Sequence, residues 1–148
     1  MNEKGQAFTV FRLLIGGLIA LAVLVIIISI ISYMENFRYD ISKQRLAEQF
    51  NVAMQSPNGN IVVAEDLAFR AGYIFSTVQL AKSSNTNVSC IDVPQVRYSE
   101  VIVNSISKTV KFNSNAIFSV YYKCDRSSET DCPIKCIISF GEPISTTP

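Results

Sequence analysis

The chain has 148 residues, a net charge of +1, four cysteines and no histidine. That is about one domain's worth of sequence. From Asn60 onward eight Lys or Arg balance eight Asp or Glu, so nucleic acid finds no electrostatic footprint and is not an expected partner. Without histidine, a Ser-Lys or Cys-His arrangement or a phosphate-cradling glycine loop, the residues predict neither an enzyme nor a cofactor or metal site.

In chain order, a short polar leader, Met1 to Gly5, carries Lys4 and is followed by Gln6. From Leu13 to Met34 no charge occurs in 22 residues. At ~1.5 Å per residue this run reaches about 33 Å, enough to cross a hydrocarbon core of ~30 Å. A discarded secretory signal has a shorter apolar region ending at a small-x-small site. This run ends instead in Ile30-Ile31-Ser32-Tyr33, so it is expected to stay in the mature protein. Gly16 and Gly17, with Ala20 one turn on, form a small-residue notch at which helices can approach; glycine is also simply tolerated in membrane helices.

Beyond the run, YMENFRYDISKQRLAEQFNVAMQ sets Met34, Phe37, Ile41, Leu46, Phe50 and Ala53 or Met54 at helical spacing, with charges on the other faces. The spacing predicts an amphipathic helix continuing the apolar one. It stops at Ser56-Pro57-Asn58-Gly59, a cluster of helix breakers. A helix from Phe8 to Gln55 would be ~72 Å long, and its apolar stripe needs a partner, either its own head or a neighbouring copy.

Lys4-Gly5-Gln6, the apolar run and the amphipathic continuation together resemble the class III signal peptide of type IV pilin-like proteins, in particular small archaeal ones. The closing ISFGEP is similar as well. The likeness covers roughly the first 55 residues well and the remainder thinly. It implies cleavage by a membrane prepilin peptidase between Gly5 and Gln6, with Lys4 holding the leader on the cytoplasmic side. It also implies a retained helix that leaves the bilayer to pack with copies of itself or related pilins, helped by pilus assembly machinery. Where many pilins carry a glutamate early in the mature helix, this chain has Val10, with Arg12 two residues on. A buried arginine requires a partner, so this departure puts the usual registration of a major subunit in doubt.

After Gly59 the pattern becomes short and β-rich. Asn60 to Phe69 reads as a strand, and residues 73 to 84 as either a short helix or a strand. Val88 to Val93, Val96 to Asn104, Thr109 to Phe112, Ala116 to Cys124 and Ile134 to Phe140 read as further strands, the last two forming a hairpin across residues 125 to 133. The expected fold is therefore α+β, a long hydrophobic-to-amphipathic N-terminal helix packed on a small antiparallel sheet. The pilin resemblance implies the same arrangement. The divisions are a leader at 1–5, a helix at 6–56 with a membrane part at 13–34 and an amphipathic part at 35–55, and an exported head at 57–148.

Cys90, Cys124, Cys132 and Cys136 all lie in this head, where an even count reads as two disulfides. Three pairings are possible. Closing the hairpin loop favours Cys124 with Cys132, leaving Cys90 with Cys136 to tie two strands. Their spacing is unlike the close pairs of zinc ribbons. Asn87-Val88-Ser89 is an acceptor sequon, making Asn87 a candidate glycosylation site. The loop acids Asp125, Glu129 and Asp131 read as solvated surface, with weak calcium binding as the lesser alternative. Tyr98, Tyr121 and Tyr122 are candidates for an adhesive patch, although alternation along a strand sends neighbouring rings to opposite faces. The function expected is a structural subunit, major or minor, of an extracellular pilus-like filament, first in the membrane with its N-terminus inside and then outside the cell. The alternative is a single-span anchored surface protein whose disulfide-bonded head binds a ligand or partner.

Overall fold

The computed structural model describes residues 3 to 145, with side chains from Thr9 onward. The chain divides after Phe37 into two compact units. Helix α1, Glu3–Gln55, contributes to both. It ends two residues before Pro57, whose ring lacks an N–H and disfavours the α conformation at Ser56.

In the head, strand β1, Asn58–Phe69, pairs antiparallel with β6, Ala116–Arg126, and β6 pairs antiparallel with β7, Ile134–Phe140. A two-residue strand β3, Ile91–Asp92, joins the far edge parallel to β7, giving the order β1-β6-β7-β3. A second, antiparallel sheet has the order β2-β5-β4, from Ile74–Ser76, Thr109–Phe112 and Val101–Asn104. The single antiparallel sheet expected from the sequence is thus one mixed sheet and one small antiparallel sheet, with α1 packed on the mixed one.

Three segments differ from their expected form. Residues 73 to 84, ambiguous between helix and strand, are both: β2 runs directly into α2, Thr77–Ser83, where the Ser76 hydroxyl accepts from Val78 N at 3.3 Å as the N-cap. Val88 to Val93 is a 3-10 turn, Val88–Cys90, followed by β3. Of Val96 to Asn104 only the last four residues pair; before them Pro94 cannot donate to a ladder, and the Gln95 amide instead donates to Val103 O at 3.1 Å.

Strand β1 contains a bulge. Ala64 faces Val120 and Leu67 faces Phe118, so Glu65 and Asp66 together stand opposite the single residue Ser119, with Asp66 at φ 54°. Beyond the bulge Leu67, Ala68 and Phe69 are all buried. Phe69 stacks on Phe112 at 4.2 Å between ring centroids, and Phe140 meets Phe69, Phe75 and Phe112 edge-on. These rings join the two sheets.

The last four turns of α1 close the other side of this core. Ser42, Leu46, Phe50 and Ala53 recur at helical spacing and are buried. Two hydrogen bonds tie helix to sheet: the Ser42 hydroxyl accepts from Ala68 N at 2.9 Å while donating to Arg38 O, and the Tyr122 hydroxyl donates to Leu46 O at 3.1 Å. The stripe expected to begin at Met34 is covered by the head only from Ser42 onward; Met34, Phe37 and Ile41 are exposed.

Removing the seam's polar partners has separable consequences. Ser42→Ala strands the buried Ala68 N–H and is expected to cost ~1–3 kcal/mol in chemical unfolding of the head. Tyr122 is held neutral by burial, its pKa raised well above the ordinary phenol value. An acid whose folded pKa is raised contributes stability that is complete below the unfolded value near 10 and lost as pH climbs past it, at up to ~1.4 kcal/mol per pH unit. Denaturation between pH 9 and 11 should therefore show a shallower loss in Tyr122→Phe than in the wild type, and parallel curves would contradict this assignment.

Candidate functional site: an apolar helix and a disulfide-bonded head

Among the described residues one helix is long and apolar enough to cross a membrane, and it lies near the N-terminus. From Val10 to Met34 its large side chains are exposed on every face, most of them at 50 to 70%. A helix apolar all round is stable only when surrounded by lipid or by protein. Each such side chain gains ~1.5–3 kcal/mol on leaving water, so the run as a whole outweighs the ~5–15 kcal/mol net stability of an ordinary domain. This helix is the candidate functional surface.

Within it, Gly16 and Gly17 have open space where a side chain would stand. Among the described residues nothing lies within 4 Å of a side chain built at either glycine, so the expected Gly16, Gly17 and Ala20 notch is open. The processing residues Lys4, Gly5 and Gln6 precede Thr9, so their side chains lie outside the described residues.

The head brings the four cysteines together in a pairing different from the expected one: Cys124 bonds Cys136, and Cys90 bonds Cys132. Register decides it. Cys124 and Cys136 face each other directly across β6 and β7 with Cα atoms 4.1 Å apart, the close class of antiparallel pair. The sequence held the signal, since alternation places Cys124 in phase with buried Val120 and Tyr122, and Cys136 in phase with Ile138 and Phe140. Cys132, next to Pro133 in the loop, reaches instead to the 3-10 turn. Met54 Sδ lies 3.1 Å from Cys136 Sγ, joining the end of α1 to this bridge.

The other candidate clusters are not assembled. Asp125 pairs with Lys123 at 3.6 Å and Glu129 with Lys135 at 2.6 Å, and among the described residues no group of three or more His, Cys, Asp or Glu is gathered as for a metal ion. The tyrosines form no patch: Tyr122 is fully buried, Tyr121 is half-buried on the opposite face, and Tyr98 leans on Phe118 and donates to Gly141 O at 3.4 Å. Asn87 is exposed.

Two residues that sequence reading passed over organise the head. Ser42 was invisible to an apolar-stripe search because it is polar. Lys108, at φ 49°, folds its amine onto the carbonyls of Val88, Ser89 and Ile91 and fastens the 3-10 turn to the β4–β5 hairpin.

Compared with protein-family models, with curated proteins and with solved structures, the chain matches none. The architecture itself, a long N-terminal helix with an apolar first half and last turns packed on a small disulfide-bonded β head, agrees with the general pilin-like plan.

The pairing is directly checkable. Trypsin without reduction should yield residues 83–97 linked to 127–135, and residues 124–126 linked to 136–148. Links between 124–126 and 127–135 would restore the pairing first expected.

Proposed function

We propose that this chain is a structural subunit of an extracellular type IV pilus-like filament, held in the membrane by its apolar helix and assembled through that same helix. The observation that carries the reading is the exposure of α1 from Val10 to Met34 on all faces, joined to a head that covers only the helix from Ser42 onward. Lipid satisfies such a surface before assembly, and sister helices satisfy it afterwards. The small residues Gly16, Gly17 and Ala20 allow close approach in either setting. Two disulfides suit a head on the oxidising side of the membrane, leaving Lys4 and the leader on the other. The role is structural rather than catalytic, and needs no cofactor.

Maturation would proceed by a prepilin peptidase cutting between Gly5 and Gln6. Glycine suits that position because the peptidase must draw the backbone into close approach, which a side chain obstructs. Mass spectrometry of the native protein should show a chain beginning at Gln6, in part as pyroglutamate. Gly5→Val should block this cut and leave membrane insertion intact, so the variant migrates as the longer form in the membrane fraction. Electron microscopy of sheared surface material then separates a filament subunit from a processed but solitary anchored protein. An uncut chain that stays monomeric in the bilayer excludes the filament.

A further inference from the structure

The sequence contains one acceptor sequon, Asn87-Val88-Ser89, and the filament reading makes no use of it. Asn87 and Ser89 are both exposed. Asn87 caps the 3-10 turn with an extended backbone, φ −85° and ψ 139°, and its Oδ1 accepts from Ser89 N at 3.2 Å. The carboxamide is therefore held by its oxygen alone. Nδ2 donates to no group among the described residues and is turned to solvent.

This geometry separates what the fold needs from what chemistry could use. The cap depends on the carbonyl oxygen, which an N-linked sugar leaves in place. The nitrogen, which such a sugar occupies, has no structural duty. The segment behind it is fixed, by Lys108 Nζ on the carbonyls of Val88, Ser89 and Ile91 and by the Cys90–Cys132 bridge. A substituent on Nδ2 thus extends from an exposed residue on a rigid base. Ser84 Oγ bonds Asn51 Oδ1 at 2.6 Å, so the segment adjoins the last turns of α1, about 14 Å along the helix from Ser42.

We infer that Asn87 is an N-glycosylation site of the exported head. The donor class is an oligosaccharide carried on a phosphorylated polyprenol. Asn87 Nδ2 forms a bond to the sugar C1, the C1–O bond to phosphate breaks with its electron pair leaving on the phosphate, and the amide proton passes to a base of the transferase. Ser89 supplies the hydroxyl by which such a transferase reads the sequon. The inference rests on the head lying outside the cell, as proposed above, but not on filament assembly.

The test is mass spectrometry of the native protein from its own cell. Trypsin and reduction release residues 83 to 97, SSNTNVSCIDVPQVR. The expected result is that this peptide carries a glycan mass localised to Asn87, lost completely in Asn87→Gln and Ser89→Ala and retained in Ser89→Thr. An unreduced digest, in which residues 83–97 remain joined to 127–135, verifies that each variant has folded. Recovery of the native peptide at its unmodified mass alone overturns the inference, as does a sugar that persists in Asn87→Gln. Filaments or a mature Gln6 terminus with a bare Asn87 would sink this site and leave the filament reading standing.

Discussion

The structure depends on the seam between the C-terminal turns of α1 and the mixed sheet. Phe50 is wholly buried there, and two hydrogen bonds lie one and two turns before it on the helix, Ala68 N of β1 donating to Ser42 Oγ and the Tyr122 hydroxyl of β6 donating to Leu46 O. Apolar burial supplies most of the attraction, while the two bonds fix the rotation and height of the helix against the strands. A helix free to turn by one residue would swing Phe50 away by about 100° and present charge to the core. With the seam fixed, the side chains from Ser42 onward belong to the head, and those before Met34 belong to whatever surrounds the apolar run.

The division of labour along one helix explains which features were legible in the sequence. The apolar run announced itself by the absence of charge, and the end of the whole helix by Ser56-Pro57. The strands Thr109–Phe112 and Ile134–Phe140 were readable to the residue because β-branched and aromatic side chains are flanked there by turn residues. The stripe from Met34 to Ile41 has the same spacing as the one from Leu46 to Ala53, yet only the second is covered. Periodicity records that a face is apolar, not what meets it.

What stayed hidden was set by long-range partners. The register of β6 against β7 decides the Cys124–Cys136 bridge, and no local preference fixes register until one face is buried. The switch from β2 to α2 within residues 73 to 84 turns on a serine cap and on the pairing of β2 with β5. The irregular stretch before β4 is held by side-chain bonds to distant backbone, from Gln95 to Val103 O and from Tyr98 to Gly141 O. In the candidate site, the apolar helix and the four cysteines were visible as such, whereas Ser42 and Lys108 act through backbone groups far away in sequence and leave no pattern.

The bridge from Cys90 to Cys132 spans 42 positions of sequence. A pull applied between the helix and the C-terminal end would pass through those two sulfurs and skip the loop they close. At ~3.5 Å per extended residue, roughly 150 Å of chain is withheld from stretching. The strands β3, β4, β5 and β6 all lie within that loop and so sit outside the line of tension, so a head that is tugged can yield at β1 without its interior being drawn out like thread.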